Sequence, residues 1–374
     1  MAGSTIIVCA NQAWNLVNFR KGLITALIGK GFDVLAVAPP DAEMERRLAE
    51  IGCRFAAAPI DSAGLSPLRD MATLRAFRAI IARERPVAWL SWTIKPNVYG
   101  SLAAGLAGVP AFPNVSGLGT AFIRRNLLTH IVRQLYRFGF RKAPVVFFQN
   151  TDDRDLFVEQ GMVRPVQAGL LPGSGVDPQH WSPPAGGRPQ PRRFLMIARV
   201  VADKGVREYA EAARLLRPKW PDARFQLMGP LDVANRTAIP RAEVEGWQAE
   251  GLIEYLPSSD DVRPAIAEAD FIVLPSYREG LSRVLLEAAA MGRPIVTTDV
   301  TGCRDVVRDG ENGFLCAARD AASLAGALDR AAQCDHADWQ RMAAAGRDRV
   351  VAEFSQARVT AIYCEALERH GVRP

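Results

Sequence analysis

Residues 274–315 read LPSYREGLSRVLLEAAAMGRPIVTTDVTGCRDVVRDGENGFL, the most informative stretch of the chain. An apolar run ends at Pro275, a polar loop carries Glu279 and Gly280, and a helical pattern starts near Leu281. Short apolar runs alternate with helical patterns in the same way along the rest of the chain. Strands are expected at 5–10, 33–38, 87–91, 145–148, 194–198, 224–228, 271–275 and 294–297, with an amphipathic helix at 16–30. Continuous apolar strands spaced by helices mean parallel sheets covered on both faces. The fold class is therefore α/β.

The same stretch carries candidate chemistry. The free backbone N–H groups of a helix start form an anion site, and Gly280 lets a phosphate approach the backbone. Glu279 sits in the loop beside that site. Glu287 follows eight residues later, two turns into the helix. Two carboxylates so spaced suit two hydroxyl-bearing parts of one phosphate-containing ligand. The combination points to a sugar nucleotide.

Composition narrows the class. The 374 residues are 49% apolar and 23% charged, which excludes a disordered chain, a coiled coil and a disulfide miniprotein. Length alone suggests two domains, or three small ones. The net charge of +6 is uneven: residues 1–180 hold 20 basic and 13 acidic side chains, and residues 181–374 hold 26 and 27. The first half is the part expected to meet something anionic. Six cysteines without a Cys-x-x-Cys pair, and only four histidines, argue against a zinc or iron–sulfur site. The first ten residues do not read as a signal peptide, and the uncharged stretch 96–123 is broken by Pro110, Pro113 and five glycines, so no membrane span is expected. These features fit a cytoplasmic setting.

Residues 172–193, PGSGVDPQHWSPPAGGRPQPRR, are dense in Pro and Gly. The expected organisation is a Rossmann-like domain at 1–172, a linker at 173–193, a second Rossmann-like domain at 194–352, and a C-terminal helix at 353–374 packing back on the first domain. Two doubly wound domains of this kind face each other across a cleft at the carboxyl ends of their sheets.

Glu279-x7-Glu287, with Gly292-Arg293-Pro294 and Asp309-Gly310-Glu311-Asn312-Gly313 after it, resembles family 4 glycosyltransferases of GT-B fold. The resemblance extends over nearly the whole chain. It includes Ala13-Trp14, Asn18-Phe19-Arg20, Lys95-Pro96-Asn97, Ser116-Gly117-Leu118-Gly119, Gly173-Ser174-Gly175, Ala198-Arg199-Val200 and Lys204-Gly205. It implies that Arg199 and Lys204 reach the diphosphate of the sugar donor and that Glu279 contacts the transferred sugar. Glu287 then holds the ribose, and the amides of Gly280, Leu281 and Ser282 meet the phosphates. Asn18, Lys95, Asn97 and Gly117 are implied on the acceptor side. The family retains anomeric configuration and needs no cofactor. The implied partners are a UDP-sugar and a saccharide on undecaprenyl diphosphate, as in O-antigen, capsule and glycan assembly. Rival readings are a UDP-GlcNAc 2-epimerase-like isomerase of the same fold and a transferase with a soluble acceptor.

The chain departs from the family pattern in three places. Asn11-Gln12-Ala13-Trp14-Asn15 replaces a Gly-Gly loop, Leu281 stands where Phe is frequent, and Thr301 stands in place of Pro. Asp153-Arg154-Asp155 spells the metal-binding Asp-x-Asp of GT-A enzymes, but it opens a helix, where aspartates favour the N-terminus, so no metal is expected. His130 and His180 are read as non-catalytic.

From Arg85 to Thr151 there is no acidic residue, and six of the eight basic ones fall in 124–142. At 100° per residue, Leu127, Leu128, Ile131, Val132, Leu135 and Phe138 share one helix face. Arg133, Arg137 and Arg141 share another, with Tyr136 and Phe140 between. Such a face suits an anionic membrane surface on the inner side of the cytoplasmic membrane, with a solvated face as the plain alternative. Nucleic acid is not expected, since no recognised module is present.

Overall fold

The computed structural model describes residues 3–61, 66–117, 127–188 and 192–374, with backbone alone at 127–129. Leu118, Gly119, Arg124 and the side chains of Leu127 and Leu128, named above, lie outside the described residues. The chain divides into two units. Met1–Ser174 with Gln356–Pro374 forms the first, and Gly175–Ser355 the second.

The first unit is built on a seven-stranded sheet. Its strands are β1 (Thr5–Cys9), β2 (Asp33–Ala38), β3 (Arg54–Ala57), β4 (Ala88–Trp92), β5 (Ala111–Val115), β6 (Val146–Phe148) and β7 (Ala168–Leu170). They run in the order β3-β2-β1-β4-β5-β6-β7. Every pairing is parallel. The helices between strands are α1 (Ala13–Gly29), α2 (Ala42–Ala49), α3 (Pro67–Glu84), α4 (Ser101–Leu106), α5 (Leu127–Phe140) and α6 (Thr151–Glu159). β1 and β4 are buried almost end to end because helices cover both faces of the sheet.

β5 had no counterpart among the sequence expectations. It is short, sits inside the Gly- and Pro-broken stretch, and carries Pro113 in a central position, which normally argues against a strand. The structure accommodates it because pairing with β6 begins at Asn114, one residue past the proline, so the missing N–H falls outside that ladder. β3 and β7 were likewise unexpected. Each has three or four residues at a sheet edge, too few to show a two-residue period.

The second unit holds β8 (Arg193–Ile197), α7 (Val206–Leu216), β9 (Arg224–Met228), α8 (Arg241–Ala249), β10 (Glu254–Leu256), α9 (Arg263–Glu268) and β11 (Phe271–Leu274). These are followed by α10 (Arg283–Ala290), β12 (Ile295–Thr298), β13 (Gly313–Cys316), α11 (Ala321–Gln333) and α12 (His336–Glu353). Its parallel sheet has the order β10-β9-β8-β11-β12-β13. Both sheets reverse strand order once, at β1/β4 and at β8/β11. Loops that leave neighbouring strands toward opposite sides open a crevice at such a point.

The segment 173–193, expected as a linker, is placed differently. From Gly175 onward it belongs to the second unit. Val176 and Trp181 enter that unit's core. Arg188 forms a two-bond pair with the fully buried Asp270 at 2.9 and 3.1 Å. Proline and glycine mark the absence of regular structure here, but not the absence of packing.

The last helix, α13 (Gln356–Arg369), belongs to the first unit. Its Tyr363 is buried, meets Phe147 edge-on at 4.9 Å, and accepts a 2.9 Å hydrogen bond from Asn114 Nδ2. Val359 and Leu367 join the same core as Ile6 and Leu90.

Candidate functional site

The second unit's reversal point gathers the sequence candidates. Arg199 and Lys204 follow β8, and the loop 275–282 follows the adjacent β11. A 3₁₀ turn, Ala202–Lys204, ends at Gly205, whose φ of +76° turns the chain into α7. A Cβ at Gly205 would lie 2.1 Å from the Pro275 carbonyl oxygen, so only glycine lets the two loops approach this closely. The loops are also tied directly, since the Tyr277 N–H donates to the Asp203 carbonyl at 2.9 Å.

This approach brings Lys204 and Glu279 together. Lys204 Nζ forms an ion pair with Glu279 Oε1. The same oxygen accepts a 2.6 Å hydrogen bond from the buried Ser276 hydroxyl. Among the described residues Oε2 has no partner. The Arg199 guanidinium is exposed and likewise makes no hydrogen bond or ion pair among them. The site thus presents one carboxylate oxygen and one uncommitted cation beside a paired lysine.

The loop after β12 supports Glu279 from behind. Glu279 N–H donates to the Thr301 carbonyl at 3.0 Å, and Ser282 N–H donates to the Gly302 carbonyl at 3.1 Å. The Ser282 amide, just before α10, is thereby committed, which narrows the anion-site amides expected from the sequence. Gly302 has φ +79°, and a Cβ there would sit 2.6 Å from the Glu279 carbonyl. Thr301 in place of proline therefore leaves a close contact that depends on the next residue.

Glu287 lies on α10 and is 7% exposed. Burial raises its pKa above the usual carboxylate range, while the neighbouring Arg283 guanidinium opposes that shift by its charge and its hydrogen bond. Arg283 Nε donates to Glu287 Oε1 at 2.6 Å. Cys303, next to these loops, has its thiol pushed up to about 12, chiefly by burial, so it is no nucleophile at neutral pH.

Sequence reasoning missed Ser276 and Arg283. Ser276 and Arg283 were inside the quoted stretch, but a hydroxyl or guanidinium has no spacing rule that distinguishes a partner of a carboxylate from a solvated side chain.

The acceptor-side candidates lie in the first unit, and the structure gives them varied settings. Asn97 is buried; its Oδ1 accepts from Ser91 Oγ at 2.9 Å and its Nδ2 donates to the Asn114 carbonyl at 2.7 Å. Lys95 pairs with Asp70 at 2.7 Å, and Tyr99 donates to the same carboxylate. Asn18 donates to the Trp14 carbonyl one turn back on α1. Gly117 follows β5 with φ +139°. At the β1/β4 reversal point, Asn11 N–H donates to Thr93 Oγ1 at 3.3 Å. Thr93 has φ +71°, a strained conformation for a β-branched residue, and Trp14 and Ile94 stand exposed beside it.

Asp153 and Asp155 point apart. Asp153 is buried on the Asn150 side chain, which caps α6 by accepting from the Asp153 N–H at 2.7 Å, while Asp155 is exposed and pairs with Arg154. Among the described residues no cluster of three His, Cys, Asp or Glu side chains suits a metal ion.

Helix α5 differs from the sequence reading of its faces. Val132, Tyr136 and Phe140 form the buried stripe, with Tyr136 packed edge-on against Phe157 at 5.0 Å. Ile131 and Phe138 are exposed, on the side that also carries exposed Arg137 and Arg141, while Arg133 is half-buried. The aromatics expected beside the basic face are thus core residues, because the unit's core takes the stripe i, i+4, i+8 rather than the most apolar arc. No described helix is long and apolar enough to cross a membrane.

Two parallel-sheet α/β domains, one bearing a carboxylate–lysine–arginine cluster beside a helix start at the reversal point, define a GT-B glycosyltransferase architecture. The chain matches the glycosyl transferase 4-like domain over residues 19–173 and glycosyl transferases group 1 over residues 191–334. It is 26% identical over 327 residues to the N,N'-diacetylbacillosaminyl-diphospho-undecaprenol alpha-1,3-N-acetylgalactosaminyltransferase of Campylobacter jejuni, covering 83% of this chain and 84% of that one. It is 24% identical over 279 residues to an Escherichia coli UDP-Gal:alpha-D-GlcNAc-diphosphoundecaprenol alpha-1,3-galactosyltransferase, covering 71% of each. Anabaena HepE in complex with UDP-glucose superposes with a TM-score of 0.80 at 16% identity, over 98% of this chain and 99% of that one. The chain belongs to the family 4 glycosyltransferases of GT-B fold.

Proposed function

We propose that this glycosyltransferase moves a hexose or N-acetylhexosamine from a UDP-sugar to a saccharide carried on a polyprenyl diphosphate, with retention of configuration and without a metal. The observation that carries the donor half is the Glu279 cluster: one oxygen held by Lys204 and Ser276, the other open, next to an unpaired Arg199. Arg199 and Lys204 neutralise charge developing on the departing diphosphate, and Glu279 Oε2 receives a hydroxyl of the sugar being transferred. Glu287 takes the ribose. In front-side attack the departing phosphate oxygen itself accepts the acceptor's proton, so no separate base is needed and catalysis rests on positioning and electrostatics. The lipid-linked acceptor is supported by the two relatives' named acceptors and by the exposed Trp14 and Ile94 at the first unit's reversal point. The exposed Ile131, Arg137 and Phe138 of α5, with Arg141 just past its end, support peripheral attachment to the inner face of the cytoplasmic membrane.

The test is a panel of UDP-, GDP- and ADP-sugars. UDP-sugars should raise the melting temperature by mass action, and a stabilising UDP-sugar should be consumed when a polyprenyl-diphosphate saccharide is added. Stabilisation by another nucleotide alone would move the donor assignment. Donor consumption only with water-soluble saccharides would remove the lipid acceptor. Transfer should persist in EDTA; loss of activity that Mn²⁺ restores would overturn metal independence.

A further inference from the structure

The first residue of α10 is an arginine, and local helix physics disfavours it there. A cation at a helix N-terminus opposes the helix dipole. The Arg283–Glu287 pair also runs in the weaker i,i+4 order, with the base N-terminal to the acid. Neither residue is on the surface, where such a pair would be incidental: their side chains are 21% and 10% exposed. Around Glu287 the helix is otherwise apolar, with Leu285, Leu286, Ala288 and Ala289 all buried. A carboxylate in that setting needs a fixed partner to stay charged.

The bond is also specific in its geometry. Arg283 Nε lies 2.6 Å from Oε1, whereas Oε2 of Glu287 has no partner among the described residues. Glu279 shows the same division, with Oε1 held by Lys204 and Ser276. Each carboxylate of the x7 pair is therefore anchored through one oxygen to its own domain and offers the other.

We propose that Arg283 is a positioning residue for the nucleotide: it pins Glu287 through Oε1 so that Oε2 faces the ribose hydroxyls. This rests on the reading of Glu287 as the ribose-binding carboxylate. Arg283 acts through Glu287, and its substitution should erase discrimination for ribose hydroxyls rather than merely loosen the fold.

Calorimetric titration of the whole protein with UDP and with 2′,3′-dideoxy-UDP tests this. Wild type should bind UDP about tenfold or more tightly than the dideoxy form, the range expected for a hydrogen bond to a charged group. Arg283→Ala and Arg283→Gln, read together in case one fails to fold, should weaken UDP by about tenfold and bring the two ligands within about threefold of each other. The double variant Arg283→Ala/Glu287→Ala should bind UDP no more weakly than Glu287→Ala, because the two act as a unit. Retention of the wild-type preference in both Arg283 variants, or multiplicative losses in the double variant, would overturn the proposal. If wild type binds UDP but ignores the ribose hydroxyls, the role of Glu287 falls and that of Arg283 falls with it. No binding of UDP to wild type at all would instead overturn the UDP-sugar reading itself.

Discussion

The Ser276 hydroxyl has a single proton and three oxygens in reach. Two are carbonyls, of Asp203 at 3.3 Å and Arg278 at 3.4 Å, and the third is Glu279 Oε1 at 2.6 Å. The carboxylate is the shortest and the charged acceptor, so the proton goes there. Ser276 has no exposed surface, so water cannot replace it without rearrangement. Ser276→Ala should lower kcat by roughly ten- to a hundredfold, the equivalent of one lost charge-assisted hydrogen bond, with little change in melting temperature. Turnover at saturating donor beside a thermal melt checks this, and an unchanged kcat would reduce Ser276 to filler. Lys204→Ala should cost at least as much, since it removes both the other anchor of Oε1 and a cation meant for the diphosphate.

Helix α5 shows how one element serves two environments. Tyr136 and Phe140 turn inward, which leaves Ile131 and Phe138 on the outer surface between arginines. A lone exposed phenylalanine is ordinary, but an apolar pair flanked by Arg137 and Arg141 suits the headgroup boundary of an anionic bilayer. Each such charge contributes about 1 kcal/mol near an anionic surface. Arg137→Gln with Arg141→Gln should therefore lower partitioning onto anionic vesicles roughly thirtyfold if the terms add. Wild-type binding should itself weaken with salt, because screening sets in beyond about 10 Å at 0.1 M. Vesicle sedimentation across a salt series measures both, and normal sedimentation of the double variant would return α5 to the status of a solvated face. Arg133 is half-buried and left out of this test, since its replacement is expected to disturb packing as well.

At the scale of the whole molecule, the chain enters the second unit at Gly175 and leaves it at Ser355, and both crossings depend on contacts that hold irregular chain in place. On entry, Asp270 is the anchor. Its buried carboxylate takes two bonds from Arg188 and one from the Arg192 N–H at 2.8 Å. Arg188→Ala breaks this buried ion pair, leaving Asp270 only the Arg192 N–H and the charge of the nearby Arg293, and should destabilise the protein by about 3–5 kcal/mol. Urea unfolding measures the shift in midpoint; a loss under about 1 kcal/mol would mean that solvent reaches Asp270 once the arginine is gone. On the return crossing, α13 settles into the first unit, where Tyr363 completes a polar link to Asn114 among aromatic rings.

Fold class, the strands β2 and β9 to the residue, and the order of the loop, glycine and helix around Glu279 were all legible along the chain. Those features are local: apolar runs, turn residues and helix starts are written in consecutive positions. The short strands β3, β5, β7, β10 and β13 were not legible, because three to five residues carry too little pattern and become strands only when a neighbour supplies the ladder. The direction in which α5 turns was likewise settled by the shape of the core it had to fill. Only folding brings Ser276 and Lys204 to one oxygen of Glu279, sets Arg283 on Glu287, and lets Asn97 spend both ends of its amide inside its own unit. Which oxygen of a carboxylate is occupied depends on side chains that strands β8 and β11 bring side by side from about 75 residues apart, and no spacing rule along the chain encodes that meeting.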